Sequence, residues 1–275
     1  MTTIDPATSS LVAEPAPPLV SRKTIVMAGR VALAIALLLA WQWGAVAFGS
    51  VFFAYPADVM QRLYEITLSG ELFDDIGATL RVSSIGFVLG CVAGVVLPFL
   101  LRRSPRWTQA IEPYVLASQG IPKYALAPWL ILWFGIGDLP KLVIVTLMVF
   151  YIPFVNTFAG IRGVDQRFVN MARVMGASEV KISREVIWNS LLPFFFTSLK
   201  VSLPRAVSAC IVGEFLVSSA GVGHYIEHAR EVSDTVGVFA GIVVATTLVL
   251  VINSIVEHLE RRALRWRPVD REMAL

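Results

Sequence analysis

Repeated runs of about twenty apolar residues constrain this chain more than any other feature. In hydrocarbon a backbone must satisfy its own hydrogen bonds, so such runs fold as helices that cross a bilayer. Charged residues make up 16% of the chain, against roughly 25% in a soluble domain, which places it among polytopic membrane proteins. The expected fold is all-α: a polytopic membrane protein with six transmembrane helices, at about residues 24–48, 78–101, 113–134, 140–158, 194–217 and 236–256.

Residues 1–21 are rich in Pro, Ala, Ser and Thr, with Pro15, Pro17 and Pro18 opposing a regular helix. They are expected to form a disordered cytoplasmic tail before a transmembrane domain over 22–275. A cleavable leader competes for the first span, because Ala45-Val46-Ala47 resembles a cleavage site; the long polar lead-in and an apolar run beyond roughly 7–15 residues favour a retained helix. A polar connection is expected over 49–75 and a polar loop after residue 217. Gly86, Gly90 and Gly94 lie four apart in the second span, on one helix face, where they permit close helix packing. The third span is interrupted at Gly120-Ile121-Pro122-Lys123. Such a break is tolerated where it faces protein or a water-filled cavity, so it is either a pathway lining or a plain proline kink.

Orientation follows from the basic residues. Most of the 23 Lys and Arg fall beside the first span (Arg22, Lys23), in the second-to-third loop (Arg102, Arg103, Arg106), around 162–184, and in the C-terminal tail. The opposite loops hold Arg62 and Arg230. Basic residues mark the cytoplasmic side, so both termini and residues 160–193 are expected inside and the acidic loops outside.

That interior segment, Phe168 to Pro193, is the polar exception. It carries Arg173, Glu179, Lys181, Arg184 and Glu185, so it belongs in water. Phe168, Met171, Ala172 and Met175 nevertheless form an apolar stripe at helical spacing. Gly176 suits a left-handed helix end, and Ser178, followed by Glu179, can cap the next helix. The expected unit is helix, glycine bend, helix, with one apolar side that either docks a partner or packs on the chain's own loops.

Ionisable groups inside spans are costly and point to a pathway or to pairing. Arg205 lies nearest the middle of the fifth span, flanked by Ser202 and Ser208; Lys200 and Glu214 lie nearer its ends and can reach the interface. Arg205 would suit an anionic solute. Cys91 and Cys210 read as small buried residues, and His224, His228 and His258 form no zinc signature. The sequence holds no Gly-x-x-x-x-Gly-Lys-Ser/Thr phosphate loop and no nucleophile elbow, so neither a nucleotide site of that type nor a hydrolase is expected.

Asn170-Met171-Ala172 followed by Gly176-Ala177-Ser178 resembles the cytoplasmic signature loop of bacterial ATP-binding-cassette (ABC) importer permeases of type I. The pattern there begins with Glu, here Asn170, and its usual Leu-Pro is here Trp188-Asn189. Ile121 to Pro128, Trp133 to Gly137, Glu214 and Gly221-Val222-Gly223 are similar to the nitrate, sulfonate and taurine importer permeases. The resemblance implies a transmembrane subunit in the bacterial inner membrane, not itself an enzyme. Cytoplasmic ATPase subunits would bind ATP and Mg and grip residues 170–178, so this chain needs no cofactor. A second permease copy, as a homodimer, would complete the path, a periplasmic solute-binding protein would deliver the solute, and lipid would surround the spans; no nucleic acid is implied. The solute implied is a small anion such as a sulfonate, taurine or nitrate. The alternative is an ion-gradient-driven secondary transporter that couples through Arg205 and Glu214.

Overall fold

The computed structural model describes residues 22–49, 51–217 and 219–263, and every regular element among them is helical. The expected tail over 1–21 and the basic residues beyond 263 lie outside the described residues. The helices are α1 (Arg22–Phe48), α2 (Pro56–Ser69), α3 (Glu71–Leu101), α4 (Pro105–Ser118), α5 (Ala127–Phe134), α6 (Asp138–Arg162), α7 (Gln166–Val174), α8 (Glu179–Ile182), α9 (Trp188–Val217), α10 (Val222–Glu231) and α11 (Thr235–Ala263). A 3₁₀ turn (Lys123–Leu126) precedes α5, and a π turn (Ser183–Ile187) joins α8 to α9.

The described residues fall into two compact units, one ending at Pro56 and the other beginning at Ala57. In the first, α1 is followed by a short return in which the Trp41 indole donates to the Ala54 carbonyl at 3.0 Å and the Phe48 and Phe53 rings meet at 6.1 Å.

In the second unit α3, α6 and α9 form the core. Their contact is close because α3 presents glycine. A Cβ on Gly86 would lie 2.6 Å from Val145 Cγ1, on Gly90 2.8 Å from the Thr146 carbonyl, and on Gly94 2.5 Å from the Phe150 carbonyl. The small-residue stripe thus brings two backbones together, and Val82, Cys91, Val149, Ala206, Ala209 and Cys210 fill the space around it. Both cysteines are free and buried. A second cluster, with Val207, Ile211, Ile226, Val244 and Leu248, packs α10 and α11 on α9.

Among the described residues, five stretches are long and apolar enough to cross a membrane, centred on α1, α3, α6, α9 and α11. The remaining expected span is built from α4 and α5, and neither is long enough alone. The two segments expected to be polar connections contain helices. α2 buries Val59 and Ile66, and α10 buries Val222, Ile226 and Ala229 at i, i+4 and i+7. Their overall polarity hides a narrow apolar face.

Candidate functional site: an apolar knuckle, a cationic groove and a buried carboxylate

The seven residues expected to couple to a partner all lie on one knuckle. The Asp165 carboxylate starts α7 by accepting from the Arg167 backbone N–H at 2.9 Å, and the Arg167 guanidinium pairs with it at 2.8 Å. The hydrogen bonds from the Arg167 side chain, then its backbone, hold the Asp165 carboxyl below its ordinary value. At the other end Gly176 turns left-handed, with φ +79°. The Ala177 N–H donates to the Ala172 carbonyl at 3.0 Å and the Gly176 N–H to the Arg173 carbonyl at 2.9 Å, the paired bonds of a Schellman ending. Ser178 then caps α8 through the Lys181 N–H at 3.3 Å. An Arg173–Glu179 ion pair at 2.9 Å spans the bend; being exposed, it contributes under about 1 kcal/mol.

The knuckle has two apolar sides. Val169 and Ile182 are buried with Val164, Ile187 and Leu191, and Ala172 and Ala177 pack against them. The other side holds Phe168, Met171, Val174, Met175 and Val180, all exposed, with Val174 at 89% and Met175 at 79%. The expected stripe therefore splits: Ala172 turns to the chain's own core, while Phe168, Met171 and Met175 remain uncovered. Asn170, Gly176 and Ser178 are exposed beside them.

The C-terminal end of α3 touches the same knuckle. The Arg102 guanidinium donates from Nη2 to Ser183 Oγ and lies 5.0 Å from the centre of the Phe99 ring. Burial, reinforced by the charge of Arg103, pulls Arg102 down from its ordinary value.

The interrupted third span opens onto a groove of about 580 Å³ shared with α6 and α9. At the break, the freed Ala125 N–H finds the Pro122 carbonyl at 2.9 Å and the Ile121 N–H the Ser118 carbonyl at 3.2 Å. Lys123 donates from Nζ to the Gln119 carbonyl and sits 4.5 Å from the centre of the Tyr151 ring. Gln119, Tyr124 and Asn156 add polar edges, and Arg205 reaches the groove from α9. Two cations and no carboxylate line it among the described residues. Sequence reasoning picked out the break and Arg205 but not that they share one groove, and it missed Tyr151 and Asn156, which sit without any motif in an apolar helix.

Ser202, Ser208 and Glu214 do not line this groove. Ser202 is buried and its Oγ lacks a hydrogen-bond partner among the described residues; Ser208 is exposed and donates to the Pro204 carbonyl at 3.1 Å. Glu214 is 1% exposed. Its carboxylate accepts from Thr79 Oγ1 at 2.9 and 3.0 Å, from the Gly223 N–H at 2.9 Å and from Cys210 Sγ at 3.5 Å. The Val222 N–H donates to Thr79 Oγ1 at 3.0 Å, and the Gly221 N–H to Asp75 Oδ1 at 2.8 Å. The carboxylate thus sits at the amino end of α10, where the helix dipole favours negative charge, and ties α3, α9 and α10 together. Glycine is required there: a Cβ on Gly221, at φ +115°, would lie 2.2 Å from Glu214 Oε1, and one on Gly223 2.2 Å from the Ile211 carbonyl. Lys200, expected near the interface, pairs with Glu260 at 2.7 Å.

The family model described as "binding-protein-dependent transport system inner membrane component" matches residues 86–265. A putative aliphatic sulfonates transport permease of Bacillus subtilis is 34% identical over 212 residues, covering 77% of each chain. A formylaminopyrimidine transport permease of Halalkalibacterium halodurans is 32% identical and covers 84% of this chain and 92% of its own. A riboflavin transport system permease of Chloroflexus aurantiacus is 31% identical, covering 84% of this chain and 87% of its own. Among solved structures, an inward-facing methionine ABC transporter matches with a TM-score of 0.57 at 20% identity, covering 71% of this chain and 95% of its own. A bacterial ABC transporter that imports alginate matches with a TM-score of 0.62 at 14% identity, covering 87% and 96%. At those identities the structures speak for the fold alone.

Proposed function

We propose, from the premise that this chain belongs to the family of binding-protein-dependent transport system inner membrane components, that it forms the solute path of an ATP-driven importer and is moved by a separate ATPase. It is an ABC importer permease subunit spanning the membrane several times. The knuckle of α7 and α8 lies in the cytoplasm with both termini, and the third crossing is made by α4 and α5. Two copies face each other, each gripped by one ATPase that binds ATP and Mg. A periplasmic binding protein delivers solute to the opposite, acidic side. Closure of the ATPase pair draws the knuckles together, rocks α3, α6 and α9, and opens the groove outward.

The observation that carries this reading is the uncovered apolar side of the knuckle. Phe168, Met171, Val174, Met175 and Val180 are exposed on an element whose charges keep it in water, where lipid cannot cover them. A groove on a partner can. The solute is a small anion: Arg205 and Lys123 face the groove without a competing carboxylate, and the sulfonate permease among the relatives carries an anion by name. Glu214 is hydrogen-bonded to Thr79, Gly223 and Cys210 away from the groove, so of the two residues the ion-coupled alternative would use only Arg205 faces the groove.

Introducing charge at the centre of the uncovered side tests the docking. Met171→Asp with Met175→Asp should leave the protein folded in the membrane, yet abolish co-purification of the ATPase and ATP-driven uptake. Retention of the ATPase at parental levels would contradict the reading. Arg205→Ala should abolish uptake while the ATPase stays bound.

A further inference from the structure

We infer that Arg102 is the positioning residue through which movement of the ATPase-docked knuckle reaches the solute groove. The inference rests on the importer reading above and adds the route inside the chain. The knuckle does not touch the groove, so its motion must cross some internal contact. Two covalent routes leave the knuckle: residues 163–165 join α7 to α6, and the π turn Ser183–Ile187 leads into α9. A π turn is a local widening of the helix that is frequently found at functional sites, and helices kink sharply at such turns. Bending at these two joints would let the knuckle swing without moving α3.

Arg102 closes that gap. It stands immediately beyond α3 and donates to Ser183 Oγ, the first residue of the π turn. Ser183 in turn donates to the Glu179 carbonyl at 2.6 Å, so one hydroxyl joins α3 to the first turn of α8. The guanidinium is steadied over the Phe99 ring, and Phe99 meets Trp188, the first residue of α9, edge-on at 6.1 Å. Arg102 Nε is buried with no hydrogen-bond partner among the described residues. An unmatched buried donor is a cost, so stability alone does not account for the residue.

From Arg102 the route continues without a gap. α3 bears on α6 through Gly86, Gly90 and Gly94, where the backbones are too close for a methyl group to intervene. On the groove side, α6 presents Tyr151, Val155 and Asn156. Displacement of the knuckle therefore becomes displacement of one wall of the groove.

The test uses the permease purified with its ATPase, carrying Val155→Cys as a reporter on the groove wall; Cys91 and Cys210 are buried and leave labelling selective. Trapping the ATPase with vanadate should change the maleimide labelling rate at position 155 in the parent. Coupling through a packed side-chain chain changes such equilibria by about two- to thirty-fold. In Arg102→Ala the ATPase should co-purify and trap normally while the labelling change disappears; Arg102→Lys should restore part of it. Adding Ser183→Ala to Arg102→Ala should cause no further loss. Normal docking with lost response distinguishes positioning from a merely structural role. A full response in Arg102→Ala against a responsive parent overturns the clasp alone, whereas a parent without any response overturns the importer reading with it. Should Arg102→Ala not assemble, Ser183→Ala decides by the same criterion.

Discussion

The Glu214 cluster and the knuckle spend their polar and apolar groups in opposite ways. Around Glu214 the carboxylate is buried and hydrogen-bonded, and the glycines at 221 and 223 leave no room for movement. At the knuckle the polar bonds, apart from Arg102 to Ser183, are short-range caps and turns, while large apolar side chains are exposed. A buried, satisfied charge fixes helices to one another, because leaving any member unpaired is expensive. An uncovered apolar face is incomplete without another molecule. One end of the bundle is therefore built to stay together, and the other, in the importer proposed above, to be held.

That contrast should fail in graded ways. Gly223→Ala should have the largest effect, since its methyl group would press on the Ile211 carbonyl at 2.2 Å; we expect a loss of about 3 kcal/mol or more, read as a lowered thermal midpoint in detergent. Thr79→Val keeps the shape but removes the hydroxyl shared by Glu214 and the Val222 N–H, at a cost of about 2 kcal/mol in the same assay. At the knuckle, Gly176→Val forces a branched residue into the left-handed region, a local cost of about 1–2 kcal/mol. The exposed knuckle can relieve that strain by local unwinding, so the midpoint should barely move while ATPase binding weakens. Smallest is Ser178→Ala, which removes the α8 cap; about 1 kcal/mol of local protection should disappear from amide exchange over residues 178–182. If the knuckle variants lowered the global midpoint as much as the Glu214-cluster variants, the distinction between the two ends would collapse.

The knuckle was legible in the sequence because its signals are local. A glycine after an apolar stripe and a serine before an acidic residue each name a backbone state within a few residues. The glycine stripe of α3 was legible for the same reason: a spacing of four fixes a helix face. Glu214 could be noticed but not understood, since its main partner, Thr79, is 135 residues away and no spacing rule connects them. Ser202 and Ser208 were grouped with Arg205 by proximity, but α9 packs against several helices at once, so periodicity does not say which flank meets the groove. α2 and α10 were hidden because short amphipathic helices bury too few residues to offset their polar composition. The break of the third span at Gly120 and Pro122 was legible from its glycine and proline, whereas its start was not: α4 begins at Pro105, well before the expected residue 113.

The sidedness of the knuckle tests the account most directly. Met175→Cys, probed with a membrane-impermeant maleimide, should label in inside-out vesicles, stay unlabelled in right-side-out vesicles, and be protected when the ATPase is added back. Labelling from the periplasmic face, or cytoplasmic labelling that the ATPase leaves unchanged, would contradict the proposal that a cytoplasmic engine holds this element.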